Sequence, residues 1–486
     1  MRLSELLREV EFEGSIKNDF DIKLVTDDSR LVRPGALFVC IRHRSFDGHT
    51  AAAEALASGA AAVVTQERLG LENELNVADS RAAYARLCAA LCGHPERKLR
   101  MIGVTGTNGK TTVTTLIRNI LSDSGIKTLL TGTVCNRLGE ESLPSGLTTP
   151  KPPELYSLLS RAVLSGCEAC VAEASSQALA QGRLEGIAFD AAVFTNITRD
   201  HLDYHGTFEN YLAAKKKLFE HSEVSTVNLD DPRADEIIAA SSGKTVTFST
   251  VLDCADYTAK NISLLPEGVS FELVSKGRIE HINFASPGLF SVSNAMAAAV
   301  CAINLGVDPR SAAQSLARSK GVCGRLERVE CGTPYSVIID YAHTPDGLEQ
   351  VLRALRPSCR GKLIVLFGCG GDRDKTKRPL MGAAACKYAD TVIVTSDNPR
   401  SEEPMKIIGD ILKGTDKKCR GLFIEEDRRR ATALALSLAK PGDTVLLAGK
   451  GHEKYQLICG EKLPLDERET VREILGLPHD TGRKKP

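Results

Sequence analysis

The chain alternates short apolar runs with segments whose apolar residues recur at helical spacing. Before residue 98, alanine-rich segments at 50–57 and 80–91 are predicted helices. In the middle of the chain the predicted strands are Met101–Val104, Ala169–Glu173 and Ala191–Phe194. From residue 327 the alternation restarts, with predicted strands at Ser336–Ile339, Lys362–Phe367, Thr391–Thr395 and Thr444–Leu447 and predicted helices at Pro345–Leu355, Arg378–Tyr388 and Glu403–Leu412.

Strands that alternate with helices form parallel sheets covered on both faces. We therefore predict an α/β protein with three domains, at residues 1–98, 99–326 and 327–486. The central domain is expected to hold one parallel sheet and the C-terminal domain a Rossmann-like, doubly wound sheet. The length of 486 residues agrees with three domains of about 100–200 residues each.

One loop of the central domain has the composition of a phosphate-binding site, Thr105-Gly-Thr-Asn-Gly-Lys-Thr-Thr112. Glycines let backbone N–H groups approach phosphates, and the start of the following helix adds partial positive charge. Lys110 would neutralise the β- and γ-phosphates, and the Thr111 hydroxyl would reach Mg²⁺. The spacing departs from the standard P-loop, which has glycine in place of Val104. We still favour ATP or GTP binding, in a P-loop ATPase-like domain, over a plain strand–turn–helix corner.

Composition narrows the class of protein. Lys plus Arg and Asp plus Glu both number 62, so the basic excess of a dedicated nucleic-acid binder is missing. No run of about 18 apolar residues predicts a membrane span. Fifteen cysteines, an odd number, and a start unlike a secretory leader favour reduced thiols and a cytoplasmic location.

Polar residues follow two predicted strands of the central domain, where ligands sit in open α/β sheets. Glu173 and His201 are candidate Mg²⁺ ligands, although His201 is as readily explained as an ordinary loop histidine. Lys215 shares a helix face with Tyr211 and Phe219. A lysine drawn into a buried site loses pKa, and the neutral amine can react with CO₂ to give a metal-binding carbamate. The alternative is a basic, solvated helix face.

In the last domain, Asp397-Asn-Pro-Arg400 follows a predicted strand. Carboxylate, amide and guanidinium groups in one turn suit a ligand with both ammonium and carboxylate groups, with Arg400 as a carboxylate clamp. The alternative is an Asx turn stabilised by proline. Arg378 and Glu453 are further loop charges close to predicted strand ends.

Five motifs taken together resemble the Mur ligases, which are ATP-dependent amide-bond-forming enzymes of peptidoglycan assembly. They are Thr105–Thr112, Asp200-His-Leu-Asp203, Ser293-Asn-Ala295, Gly324-Arg-Leu-Glu327 and Asp340-Tyr-Ala-His343. The segments Asp28-Ser-Arg30 and Pro34–Phe38 resemble the UDP-binding domain of the member that adds the third peptide residue. The 397–400 segment resembles that member's signature for meso-diaminopimelate, as opposed to L-lysine.

The resemblance implies binding roles residue by residue. For uridine it implies Ser29, Arg44, Ser45 and Phe46, and for the muramoyl-dipeptide Thr148, Thr149, Ser175, Gln181 and Arg183. For ATP it implies Gly106, Thr107, Asn108, Gly109, Lys110, Thr111, Thr112, Asn294, Arg325 and Asp340. For diaminopimelate it implies Arg378, Asp397, Asn398, Pro399, Arg400, Gly449 and Glu453.

It also implies the catalytic groups and the metal ligands. The catalytic groups are Lys110, Glu173, His201, Lys215 and His343, and the Mg²⁺ ligands are Thr111, Glu173, His201 and Lys215 as its carbamate. The expected reaction joins meso-diaminopimelate to UDP-N-acetylmuramoyl-L-alanyl-D-glutamate through an acyl phosphate, at the cost of ATP. We expect a monomer without nucleic-acid partners. The alternatives are L-lysine as the substrate, a folylpolyglutamate synthetase-like ligase, and a nucleotide-switched binding module without ligase chemistry.

Overall fold

The computed structural model describes residues 1–43, 46–265, 267–319, 321–415, 419 and 421–478. Three large sheets and one two-stranded hairpin follow one another along the described chain, so the predicted α/β fold with a central and a C-terminal parallel sheet is confirmed. In the described residues, no helix is both long enough and apolar enough to cross a membrane.

The first sheet has the order β1-β5-β4-β3-β2, and only β1 runs antiparallel to its neighbour. Its strands are β1 Glu13–Gly14, β2 Leu24–Thr26, β3 Ala36–Val39, β4 Ala60–Thr65 and β5 Glu74–Asn76. Three helices accompany it: α1 Leu3–Leu6, α2 Ala52–Ala57 and α3 Ser80–Leu91. The predicted helix at 80–91 matches α3, whereas a 3₁₀ turn at Gly48–Ala51 precedes α2.

The central sheet has eleven strands in the order β16-β15-β14-β13-β12-β11-β6-β10-β7-β8-β9. They are β6 Arg100–Thr105, β7 Thr128–Thr131, β8 Asn136–Leu138, β9 Glu141–Leu143, β10 Ala169–Glu173, β11 Phe189–Phe194, β12 Ser222–Asn228, β13 Lys244–Ser249, β14 Tyr257–Leu265, β15 Gly268–Ser275 and β16 Arg278–Phe284. The seven neighbouring strands β14-β13-β12-β11-β6-β10-β7 are parallel. Antiparallel strands extend both edges, β15 and β16 beyond β14 and β8 and β9 beyond β7. Sequence reasoning did not predict the edge strands.

Eight helices belong to this central unit. They are α4 Lys110–Asp123, α5 Pro152–Leu164, α6 Ser176–Ala180, α7 Leu202–His205, α8 Phe208–Lys216, α9 Ala234–Ala240, α10 Leu289–Asn304 and α11 Pro309–Arg318. Alternate residues of the strands point to opposite faces. Val171 of β10 packs with α4 and α10, whereas its neighbour Ala172 joins a core that continues into the first sheet unit. The first and central units are therefore attached through shared apolar packing.

The third sheet has the order β17-β18-β22-β19-β20-β21, parallel except for β17. Its strands are β17 Glu327–Arg328, β18 Ser336–Asp340, β19 Leu363–Phe367, β20 Thr391–Val394, β21 Leu422–Ile424 and β22 Thr444–Ala448, followed by the hairpin β23 Tyr455–Ile458 and β24 Glu461–Pro464. The helices are α12 Pro345–Leu355, α13 Lys377–Tyr388, α14 Pro404–Leu412, α15 Arg428–Leu438 and α16 Glu467–Ile474. Separate apolar cores cover the two faces, as the doubly wound prediction requires.

Candidate functional site

The phosphate loop, residues 105–109, joins β6 to the start of α4 and depends on two glycines. Gly106 has φ +150° and Gly109 has φ +87°. A Cβ on Gly106 would lie 1.9 Å from Oγ1 of Thr195, and one on Gly109 would lie 2.5 Å from Oδ1 of Asn294. Only glycine therefore allows the loop to approach the neighbouring strand and helix so closely.

Two lysines converge beneath this loop. Nζ of Lys110 donates to the carbonyl oxygens of Gly106 at 2.8 Å and Thr107 at 2.9 Å. Nζ of Lys215 donates to the carbonyl oxygen of Gly106 at 2.7 Å and lies 4.5 Å from the centre of the Tyr211 ring. Burial, reinforced by the charge of Lys110, lowers the pKa of Lys215 well below its ordinary range. The predicted burial of Lys215 on the apolar helix face is confirmed.

Glu173 ends β10 as a buried carboxylate beside the phosphate loop. Its Oε2 accepts from the hydroxyls of Thr111 at 3.1 Å and Thr133 at 2.9 Å, and its Oε1 accepts from the Thr133 amide at 2.8 Å. A Cβ on Gly132 would lie 2.4 Å from Oε1, so Gly132 leaves the space that this carboxylate fills. Thr133 was not predicted, because nothing in its local sequence marks it as a partner of Glu173.

These oxygens fit Mg²⁺, which is commonly held by one or two protein oxygens together with phosphates and water. Thr111 and Glu173 supply a hydroxyl and a carboxylate in contact with each other. The other two predicted ligands have different partners: Lys215 donates to the Gly106 carbonyl oxygen, and His201 lies beside Asp200. Within the described ranges, no group of three or more His, Cys, Asp and Glu side chains is close enough together to bind a metal without other ligands.

Two predicted histidines differ in their surroundings. His201 has φ +53° and its side chain is 43% exposed, with Nε2 3.4 Å from Oδ2 of Asp200. Nδ1 of His343 lies 2.9 Å from the carbonyl oxygen of Tyr341, and Lys377 donates to the carbonyl oxygen of His343. Burial, together with the charge of Lys377, lowers the pKa of His343 to about 4. His343 is therefore neutral at physiological pH.

The predicted muramoyl-dipeptide residues form one hydrogen-bonded group next to Glu173. The Thr149 hydroxyl donates to the carbonyl oxygen of Glu173 at 2.6 Å and lies 3.1 Å from the hydroxyl of Ser175. Arg183 donates to the Thr149 carbonyl oxygen at 2.7 Å and to Gln181 Oε1. The Thr148 hydroxyl accepts from Thr133 at 3.0 Å.

The third sheet unit contacts the phosphate loop directly. Oδ2 of Asp346, in the first turn of α12, accepts from Nδ2 of Asn108 at 3.0 Å. Arg325, two residues before β17, stands between the units: its Nη2 donates to the Thr111 hydroxyl at 3.1 Å, and its guanidinium lies 4.7 Å from the centre of the Tyr341 ring. Asp346 was not predicted, because only the packing of α12 against the loop brings it there.

A cavity of about 300 Å³ opens between these units. Asp340, whose pKa burial raises, lies in its wall and accepts from the amides of Leu326 and Ala342. Seventeen predicted residues line the cavity: Thr107, Asn108, Gly109, Lys110, Thr111, Thr112, Thr148, Thr149, Glu173, Ser175, Arg183, His201, Lys215, Asn294, Arg325, Asp340 and His343.

A second polar cluster lies where β20 and β22 end. We call Asp397, Asn398, Arg400, Gly449 and Glu453 the Asp397 cluster. Nδ2 of Asn398 donates to Oε2 of Glu453 at 2.9 Å. Gly449 has φ +106°, and a Cβ there would lie 2.6 Å from Oδ2 of Asp397. Two segments that are about fifty residues apart in sequence thus meet at one edge of the sheet.

Arg400 and Arg378 differ in how many hydrogen bonds their guanidinium groups make within the protein. Arg400 has φ +54° and donates from Nη1 to the carbonyl oxygen of Gly371 at 2.7 Å. Gly371 also packs closely against Pro399, because a Cβ on Gly371 would lie 1.9 Å from the Pro399 carbonyl oxygen. Arg378 is fully buried and donates to Glu402 at 2.8 and 3.0 Å and to Asp410 at 3.0 Å. Those contacts tie α13 to α14 and give no support to the predicted ligand contact of Arg378.

The predicted uridine residues are less closely grouped. Arg44 and Ser45 lie outside the described residues. Ser29 begins a 3₁₀ turn capped by Asp28, and Phe46 is 48% exposed. Next to Ser29, Asp27 accepts from Lys151 of the central unit at 3.0 Å, so this edge of the first sheet faces the central unit.

Three domain families match the chain in order. The Mur ligase family, catalytic domain, matches residues 21–89. The Mur ligase middle domain matches residues 104–302, and the Mur ligase, glutamate ligase domain, matches residues 324–451. Together they span most of the chain.

Whole proteins also match. The UDP-N-acetylmuramoyl-L-alanyl-D-glutamate--2,6-diaminopimelate ligase of Syntrophomonas wolfei is 43% identical over 487 residues, covering 98% of this chain and 99% of that protein. A solved structure of a ligase with the same name is 35% identical, with a TM-score of 0.71, covering 98% of this chain and 99% of its own. The folylpolyglutamate synthase of Mycobacterium tuberculosis shares the fold at 18% identity and a TM-score of 0.62, covering 82% of this chain and 95% of its own. This chain belongs to the Mur ligase family.

Proposed function

We propose that this chain joins meso-2,6-diaminopimelate to UDP-N-acetylmuramoyl-L-alanyl-D-glutamate in an ATP-dependent reaction of peptidoglycan precursor synthesis. The relative of 43% identity over nearly the whole chain is named for these two substrates. The observation that carries the proposal is that the unit bearing the Asp397 cluster contacts the phosphate loop through Asp346 and Asn108. This contact supports an amino-acid site on a unit that packs against the phosphate loop, although the residues of the Asp397 cluster are not among those that line the cavity.

The three sheet units divide the substrates between them. We assign the uridine nucleotide to residues 1–98, ATP and the muramoyl-dipeptide to residues 99–326, and diaminopimelate to residues 327–486. The group Thr148, Thr149, Ser175, Gln181 and Arg183 supports this division, because its hydrogen bonds place it beside Glu173 and the phosphate loop. Since ATP is the phosphoryl donor, we place the reaction in the cytoplasm.

The chemistry must activate a carboxylate, because a carboxylate does not react with an amine at neutral pH. We infer that the substrate's γ-carboxylate attacks the γ-phosphate of ATP, giving an acyl phosphate and ADP. The diaminopimelate amine then attacks the acyl carbon, and phosphate leaves. Lys110 would offset the charge on the transferring phosphoryl group.

Thr111 and Glu173 would hold Mg²⁺, which when bound supplies positive charge to the phosphate oxygens. Lys215, as a carbamate, and His201 are proposed as the remaining ligands. Arg325, Asn294 and Asp340 would hold the nucleotide between the two units. His343 is neutral and half-buried at the boundary, where it helps to keep water from the acyl phosphate.

The test is phosphate release from ATP, measured with each substrate omitted in turn, together with the mass of the product. We expect release only when both the UDP-muramoyl-dipeptide and an amino acid are present, and a product heavier by one diaminopimelate residue. Release that needs neither substrate would indicate a nucleotide-switched module. Ligation of glutamate to a folate would indicate a folylpolyglutamate synthetase-like enzyme, although the unit that matches residues 21–89 argues against it.

A further inference from the structure

Lys450 is a fully buried lysine in the turn after β22, between Gly449 and Gly451. Its Nζ donates to Oε2 of Glu453 at 2.6 Å and to Oδ1 of Asn398 at 2.9 Å. A buried ammonium group is tolerated only when it is paired and hydrogen-bonded. Both of its partners belong to the Asp397 cluster, so the buried ammonium group holds two side chains of that cluster in place.

These contacts engage both ends of the Asn398 amide but only one oxygen of Glu453. Oε2 of Glu453 accepts from both Lys450 and Asn398, whereas in the part of the chain that the structure describes no donor contacts Oε1. Oδ1 of Asn398 accepts from Lys450 and from the Leu457 amide at 2.8 Å. The Glu453 carboxylate is therefore held through one oxygen while the other remains open to a ligand.

Lys450 also affects Arg400. Glu453 lies close enough to Arg400 to act on its charge. In the described residues Glu453 pairs with Lys450, whereas Nη1 of Arg400 donates to the carbonyl oxygen of Gly371. With Lys450 bound to Glu453, the guanidinium of Arg400 stays available for a carboxylate and Oε1 of Glu453 for an ammonium.

We propose that Lys450 is the positioning residue of the amino-acid site, holding Glu453 and Asn398 so that Arg400 and Glu453 separately receive the carboxylate and the ammonium of an α-amino acid. This inference rests on the proposed function for the identity of the ligand. Lys450 itself touches no reacting atom.

The test compares Lys450→Met with wild type in the phosphate-release assay, varying each of the three substrates. We expect the KM for diaminopimelate to rise about 10-fold or more, as for loss of a hydrogen bond to a charged group, with the KM values for ATP and the UDP-substrate within twofold. The matched control is Lys454→Met, because Lys454 is 59% exposed on the same segment. All three of its KM values should match wild type.

Chemical rescue separates positioning from a structural role. In Lys450→Ala, added n-propylammonium should restore the low KM for the amino acid, whereas n-propanol should not. An unchanged amino-acid KM in Lys450→Met would overturn the inference, and so would an equal loss for all three substrates without rescue. The proposed function is tested separately by measuring phosphate release from the wild-type protein with a panel of amino acids. If the wild type uses another amino acid, the KM of Lys450→Met is compared for that amino acid. If it uses none, both proposals fail.

Discussion

Lys110 and Lys215 donate hydrogen bonds to the same carbonyl oxygen, that of Gly106, at 2.8 and 2.7 Å. Two ammonium groups that converge on one oxygen repel each other, and burial adds to the cost of their charges. The pKa of Lys215 is accordingly lowered well below its ordinary range. A lysine with a lowered pKa is neutral in a larger fraction of molecules, and the neutral amine can form a carbamate with CO₂.

Lys215→Ala should abolish turnover, because it removes the proposed carbamate. Formate or another short carboxylate should restore part of the activity by supplying oxygen ligands in the vacated space. The matched control is Lys217→Ala, since Lys217 is exposed two residues further along the chain. Steady-state assays with and without formate provide the measurement, and ¹³C-NMR of protein equilibrated with ¹³CO₂ should show a carbamate signal that Lys215→Ala lacks. Near-normal turnover of Lys215→Ala without additive would contradict this prediction.

Lys110→Ala should lower kcat by about 100-fold or more, because charge on the transferring phosphoryl group is no longer offset. The affinity for the UDP-substrate should stay within about twofold, since the uridine residues are expected in the first sheet unit. Calorimetric titration of that substrate into the variant measures this affinity. An equal loss of affinity and turnover would show that the two sites are not separate. Lys276→Ala, on an exposed turn between β15 and β16, is the control.

Arg400→Ala should reduce the preference for meso-diaminopimelate over L-lysine. The two amino acids differ by one distal carboxylate, so bound L-lysine would leave the half-buried guanidinium of Arg400 without a carboxylate partner. We expect this to cost about 2–5 kcal/mol, which corresponds to a wild-type preference of about 30-fold or more. The ratio of kcat/KM values for the two amino acids measures it, with the KM for ATP unchanged. Arg353→Ala, at an exposed position of α12, should keep the wild-type ratio. If wild type uses both amino acids equally well, the substrate assignment is wrong.

Glu402→Gln should lower the stability of the protein above pH 5. The hydrogen bonds from Arg378 lower the pKa of Glu402 from 4.5 to about 2, so the ion pair stabilises the fold above pH 4.5 and is lost as the pH falls towards 2. The expected loss at pH 7 is about 2 kcal/mol. Urea unfolding at pH 7 and at lower pH measures it, and the difference between variant and wild type should shrink with acidity. A constant difference across this range would exclude the ion pair as its cause.

The sequence alone predicted the local elements and one site. The predicted bounds of β10 and α12 match the structure, and those of β6 differ by one residue at each end. Apolar runs and helical spacing locate such elements because they reflect local burial. The phosphate loop was recognised because glycine, lysine and threonine are adjacent in sequence, and the burial of Lys215 because three residues share one helix face. The antiparallel strands β8, β9, β15 and β16 were missed, as were the parallel strands β7, β12, β13 and β14, although β15 buries Val269, Phe271 and Leu273 at alternate positions.

The tertiary structure decided which distant residues meet. Asp346 reaches Asn108 across 238 positions, and Thr133 reaches Glu173 across 40, so no local pattern indicates either contact. Arg378 shows a different case: its place near a predicted strand end and the family resemblance predict a ligand contact, whereas packing pairs its guanidinium with Glu402 and Asp410. Local sequence determines which groups can form a site. The close packing of sheets and helices determines which of those groups face the cleft with donors or acceptors that are not already used inside the protein.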